Sequence, residues 1–276
     1  MPGGRVLAVD PLSLLVLLIM GTLAGAINAA VGSGSLLTLP VLLALGIPPG
    51  TAVRTNTIGI LFSTIGSVTG YRREIAAEGR ALVPLIVTTA VLAATGSVLL
   101  LLSPSDALDV VVPVLIVVAL LMVILQKRVT RAISARRERR AAAAPVAHAA
   151  VEQSPYRSPA LLAAMGGASV YGGYFTAAQG ILYLGVLGAF TGKPMGKVNH
   201  VKNLASLVVN GAAATVYLVA HVVLGVEIVW IATAAIAVGA LLGGYFGAHL
   251  AKKLPEGVLR GIIVVVAVVA LVRQVL

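Results

Sequence analysis

The sequence predicts an all-α integral membrane protein of about 8 to 10 membrane helices, arranged as two inverted-topology repeats with helical hairpins. Three observations carry this prediction. The 276 residues are 59% hydrophobic and only 11% charged, too little charge to cover the surface of a soluble domain of this length. Apolar runs recur along the chain, at Pro11–Val31, Ala81–Leu102, Val110–Leu125, Val226–Leu250 and Val258–Val272. Crossing roughly 30 Å of hydrocarbon takes about 20 mostly apolar residues, and none of these runs alternates with period two, so the spans are helices rather than barrel strands. The third observation is that residues 1–126 and 159–276 share one plan, separated by a basic segment at 127–158.

The first run, Pro11–Val31, follows one Arg and one Asp with no small-residue cleavage site, so it reads as a first helix rather than a removed signal peptide. Gly32-Ser33-Gly34-Ser35 then interrupts it, and a second run, Leu36–Leu45, is too short to cross comfortably, at about 15 to 18 Å of helix. A Gly/Pro turn leads to a helix with a polar start that carries Asn56. The basic loop Arg72–Arg80, the run Ala81–Leu102, the loop Ser103–Asp109 and the run Val110–Leu125 complete the first half. The segment SARRERRAAAAPVAHAAVEQSP has no core of its own and could extend the preceding helix before breaking.

Charge orients the whole. With Arg72–Arg80 and 127–158 in the cytoplasm, Lys193, Lys197, Lys252, Lys253 and Arg260 also fall inside, and Lys202 lies at or just within the next helix. Of the 20 Lys and Arg only Arg5, Arg54 and Arg273 fall outside, which is the positive-inside pattern. The expected protein is therefore a multi-pass inner (plasma) membrane protein with a cytoplasmic linker and both termini outside.

The halves match in detail. GAINAAVGSGSLLTLPVLLALGIPPGTAVRTNTIGILFSTIG in the first corresponds to GGYFTAAQGILYLGVLGAFTGKPMGKVNHVKNLASLVVNG in the second. Gly25 pairs with Gly172 and Asn56 with Asn203 at one offset; Gly34 pairs with Gly180 and Pro48 with Pro194 at an offset one residue shorter. The opening pair returns to its own side and three crossings follow, so the second copy enters upside down. Inverted repeats around a midplane site are a common plan of secondary transporters.

Candidate binding residues lie where the repeats correspond. A helix that begins inside the membrane offers unpaired N–H groups and a positive dipole end, and glycine lets an anion approach them. Ser33, Gly34 and Ser35 meet that description, and Gln179-Gly180 holds the equivalent place. The same small residues would equally serve close helix packing. Asn199, Asn203, Ser206 and Asn210 lie at i, i+4, i+7 and i+11, one face of a helix, and Asn56, Gly59 and Ser63 take the matching phase. Asn56 and Asn203 read as site residues, Ser63 and Asn210 as interhelical hydrogen-bonding residues. Lys202, His200 and Arg54 are the cationic or titratable candidates beside them: Lys202 to complement an anion or to snorkel, His200 to carry a coupling proton or to act as a hydrogen-bonded fixture. Tyr171, Tyr174 and Tyr183 could supply hydroxyls or pack.

Composition also excludes. There is no cysteine, so disulfides and thiolate metal sites are ruled out. The net charge of +11 lies in short segments between apolar runs rather than on one basic face, which argues against nucleic acid. Asp10, Asp106, Asp109, Glu227 and Glu256 all sit at ends or loops, and a cation path normally needs carboxylates within the membrane. No HExxH, GxSxG or paired membrane aspartates appear, so neither an enzyme nor a metal or cofactor is expected. The expected partners are a small anion and the bilayer.

GAINAAVGSGSLLTLPVLLALGIPPGTAVRTNT resembles the opening repeat of the TauE/SafE family of sulfite exporters and 4-toluene sulfonate uptake permeases, and GALLGGYFGAHLAKKLPEGVLR resembles its second-half signature. The resemblance runs from about Leu12 to Val272, with Gln179-Gly180 less glycine-rich than the family's second hairpin. It implies a transporter of sulfite, sulfoacetate, another organosulfonate or thiosulfate, with the site between two inverted halves. Three sulfonate oxygens would suit the donors of Ser33, Ser35, Asn56 and Asn203. Carboxylates share that acceptor chemistry, and a passive anion channel would use the same residues.

Overall fold

The computed structural model of the chain describes residues 10–143 and 154–250, and all regular structure among them is helical. Helix α1 (Pro11–Ala30) starts at Asp10, whose carboxylate accepts the Ser13 amide at 2.6 Å. That backbone hydrogen bond holds the Asp10 carboxyl below its usual range. The helix ends at Val31, and Gly32, at φ +82°, turns the chain into α2 (Ser35–Ala44), only 10 residues long. Gly46, at φ +78°, and the pair Pro48-Pro49 then open α3 (Pro49–Gly70). A short polar helix, α4 (Arg72–Glu78), leads through the turn Gly79–Leu82 into α5 (Val83–Leu102). Helix α6 (Ser105–Ala143) runs unbroken for 39 residues, so the basic segment begins as an extension of it, with no break at residue 127.

The described part of the second half opens with the same sequence of a long, a short and a long helix. The turn Pro155–Arg157 precedes α7 (Pro159–Phe175), the short α8 (Gln179–Thr191), α9 (Met195–Leu224) and α10 (Trp230–Leu250). Five stretches are long and apolar enough to cross a membrane: Pro11–Ala30, Arg72–Leu102, Ser105–Gln126, Gly196–Leu224 and Trp230–Gly247. Helices α2 and α8 are apolar but shorter, and α3 has the length but carries a buried polar row from Thr51 to Ser67. The chain is an all-α, multi-pass membrane protein, as its composition predicts. Residues 144–153 of the basic segment, the expected helix Val258–Val272, and Lys252, Lys253 and Arg260 lie outside the described residues.

Packing between helices depends on missing side chains. Helix α10 lies along α1 and α3, and α5 lies along α7 and α9. A Cβ on Gly21 would stand 2.9 Å from the Ile236 carbonyl oxygen, and one on Gly66 would stand 2.8 Å from that of Leu241. Gly243 likewise fits against Thr22, and Gly247 against Ala26. The same device joins α5 to α7, where Gly96 meets Val170 and Tyr174 and Gly173 meets Ala93. Lipid supplies no hydrophobic drive between helices, so close backbone approach has to hold them together. Leu36, Leu39, Leu42 and Phe175 fill the core, while Leu12, Leu15, Val87, Val91, Leu102 and Val110 are exposed, as a lipid-facing surface requires.

Candidate functional site

Both broken helices aim their breaks at each other. The Gly180 amide at the start of α8 donates to the Gly32 carbonyl at 3.1 Å. A Cβ on either glycine would run into the backbone of the other. The α7–α8 break is made by Thr176 and Ala178, which hold left-handed φ values of +67° and +59° without being glycine. Left-handed backbone at such residues costs of order 1–2 kcal/mol each and persists only where the surroundings fix it. The Thr176 hydroxyl is fixed by that of Thr57 on α3, at 2.8 Å. One junction therefore gathers the ends of α1 and α7, the starts of α2 and α8, and the flank of α3.

Of the residues expected in the first hairpin, Ser33 and Ser35 are buried here, and the Ser33 hydroxyl has no hydrogen-bond partner. Among the described residues nothing accepts from the amides of Gly34 and Ser35 at the start of α2. The space beside Gly34 is filled by the Ala24 carbonyl and the Asn28 side chain, so its lack of a side chain is a packing requirement. Asn56 accepts from the Thr38 hydroxyl of α2 at 2.5 Å through Oδ1, while its buried Nδ2 has no acceptor. Gln179 donates from Nε2 to Asn210 Oδ1 at 3.1 Å, which leaves Asn210 Nδ2 and Gln179 Oε1 unpartnered. The Ser206 hydroxyl, between Asn203 and Asn210 on the inward face of α9, is unpartnered as well. Almost all buried polar groups in native proteins have partners, so this set is out of the ordinary. Ser33, Asn56, Ser206 and Asn210 each have an unused donor, and no hydrogen bond of the junction, among the described residues, involves a carboxylate.

Asn203 and Lys202 are placed differently. Lys202 is 0% exposed and donates to Asn28 O at 2.9 Å, Ala29 O at 3.2 Å and Asn203 Oδ1 at 2.7 Å. Asn203 Nδ2 in turn reaches Ala29 O at 3.4 Å, and Asn199 joins Ala29 O at 3.4 Å and the Tyr71 hydroxyl at 3.0 Å. These side chains cap the C-terminal carbonyls of α1, which an ended helix leaves unpaired. Its three acceptors leave the Lys202 ammonium no proton to donate to a ligand.

His200 stands one turn closer to the helix start. Its Nε2 is 3.5 Å from Glu78 Oε1, which also receives the Lys193 ammonium at 3.2 Å and the Tyr156 hydroxyl at 3.2 Å. Burial pushes the Tyr156 hydroxyl above its ordinary range, and Lys193 lies over that ring, 5.1 Å from its centre. This cluster ties α4 to the α8–α9 turn and is separate from the glycine junction. Arg54 sits at the other end of α3, bonded to Glu227 O at 3.1 Å and Thr51 at 3.0 Å. The hydroxyls of Tyr171, Tyr174 and Tyr183 meet Ala177 O, Ser103 and Ser169.

Thr38, Thr57, Thr176 and Glu78 are not among the residues expected from the sequence, whereas Asn210, expected to hydrogen-bond between helices, does so with Gln179. Thr38 carried a usable signal, as the one polar residue inside the apolar run Leu36–Leu45. The pairing of Thr57 with Thr176 carried none, because their residues do not correspond in the two halves. With the geometry in place, a family model described as Sulfite exporter TauE/SafE matches residues 17–273. No curated protein and no solved structure matches the chain.

Proposed function

The chain belongs to the sulfite exporter TauE/SafE family, and from that premise we propose that it moves small sulfur-containing oxyanions across the inner membrane by alternating access. Sulfite, sulfoacetate, another organosulfonate or thiosulfate would bind where the two hairpins meet. The observation that supports this reading is a set of buried, unused donors on the first hairpin, α3 and α9: the Ser33 and Ser206 hydroxyls and the Asn56 and Asn210 amide nitrogens. A sulfite or sulfonate group has three acceptor oxygens and no donor. Such a ligand would satisfy these groups together with the Gly34 and Ser35 amides, and the Lys202 charge would favour an anion over a cation.

The packing pattern supports an inverted arrangement. Helix α1 opens the first half and lies on α10 of the second; α7 opens the second half and lies on α5 of the first. A rocking motion of one set against the other would pivot near the Gly32–Gly180 contact. In this reading residues 127–158 face the cytoplasm, both termini face outward, and His200 beside Glu78 is the group that would carry a coupling proton.

The test is thermal unfolding of the purified protein in detergent with sulfite, sulfoacetate, thiosulfate, acetate, phosphate and chloride. A ligand at 100 times its Kd stabilises the folded state by about 2.7 kcal/mol. Stabilisation by sulfur oxyanions alone supports the proposal. Stabilisation by acetate alone would keep an anion site and discard the sulfur chemistry, and no response to any anion would remove the site. Saturable counterflow in proteoliposomes would then separate a carrier from a channel.

A further inference from the structure

Three neutral oxygens surround the Lys202 ammonium: Asn28 O at 2.9 Å, Ala29 O at 3.2 Å and Asn203 Oδ1 at 2.7 Å. Two of them are carbonyls of the last turn of α1, where the helix dipole is negative, and the third is a side-chain amide from α9. The lysine has three protons and they meet three acceptors, with the residue 0% exposed and, among the described residues, no carboxylate on it. An ended helix inside a membrane, supplying backbone carbonyls with one amide oxygen, is the kind of oxygen set that coordinates a small monovalent cation in ion-coupled carriers.

We infer that the C-terminal end of α1 forms a monovalent-cation site, and that this protein fills it with the Lys202 ammonium on its own tether. The cation joins the broken helix of the first half to α9 of the second. A covalently attached occupant also removes any need for a sodium ion at this position. Removing the lysine should therefore expose a site for a free cation. The inference stands on the cage alone and does not depend on which anion is carried.

The experiment compares wild-type protein with Lys202→Ala in detergent, by thermal unfolding in chloride salts of choline, sodium, potassium and ammonium at equal ionic strength. Wild-type Tm should be the same in all four salts. Lys202→Ala should be less stable in choline, which is too large for the cage, and should recover most of the lost Tm, saturably, in ammonium, sodium or potassium. A folded Lys202→Ala protein with one Tm in all four salts would overturn the inference, as would a variant that fails to fold in every one of them. Lys202→Met provides an independent reading, because methionine replaces the stem without the charge. It should be destabilised in every salt, and wild-type stability for Lys202→Met would reduce Lys202 to packing.

Discussion

At the scale of single residues, the two asparagines that occupy matching places in the halves do different work. Thr38 holds the Asn56 carbonyl oxygen and leaves its amide nitrogen unused, whereas Asn203 is engaged at both ends by Lys202 and Ala29. Asn56→Ala should therefore weaken anion binding about 10- to 100-fold, the loss of one hydrogen bond of about 1.5–3 kcal/mol to a charged ligand, and should also lower the Tm of the free protein, because the buried Thr38 hydroxyl loses its acceptor. The ligand-induced Tm shift measures it, and unchanged affinity would take Asn56 out of the site. Asn203→Ala should leave anion affinity unchanged and reduce stability by about 1–3 kcal/mol, because a buried ammonium loses an acceptor. Thermal unfolding without ligand reads that loss. The inward direction of these residues was legible in their helical spacing. Which amide kept a free donor was not, because that is decided by Thr38 and Lys202, one on another helix and one pointing into the end of α1.

Among the elements, the short helices were legible and their partners were not. Gly32-Ser33-Gly34-Ser35 and the length of Leu36–Leu45 announced a broken helix, and α2 spans 10 residues. Glycines along α10 stand against the backbones of α1 and α3, yet a glycine in a sequence says that something comes near without saying what. The pairings of α1 with α10 and of α7 with α5 arise from tertiary packing between distant segments. Two glycines with similar backbones separate conformational cost from contact cost. Gly32 and Gly46 have φ of +82° and +78°, but a Cβ on Gly32 would strike Gly180 while one on Gly46 would meet nothing within 4 Å. Gly46→Ala should cost about 1–2 kcal/mol, the left-handed penalty alone. Gly32→Ala should cost clearly more and abolish anion binding, since the two hairpins would be forced apart. Equal Tm values for the pair would show that the junction yields easily.

For the whole molecule, orientation is the property that sequence alone proposes and labelling can decide. All but three of the 20 Lys and Arg fall on one side of the proposed topology. The chain has no cysteine, so Ser105→Cys and Ala135→Cys each introduce a single thiol, one at either end of α6. An impermeant maleimide should label Ser105→Cys in intact cells and Ala135→Cys only in inside-out vesicles. The reverse pattern would invert the topology and place the Glu78–Lys193 cluster on the outer face. Membrane class and element order followed from hydropathy, because a span must satisfy its own backbone. The number of helices that finally cross could not be read the same way, since α3 trades apolar length for the polar row that lines the junction.

The length of α6 has a practical consequence. Its 39 residues make about 58 Å of helix, roughly twice the thickness of the hydrocarbon. A membrane protein of this size gives electron cryomicroscopy few features by which to align its images. A helix that continues out of the bilayer is a natural splice point: a rigid soluble domain grafted onto it in helical phase would turn with the transmembrane body and mark each particle's orientation.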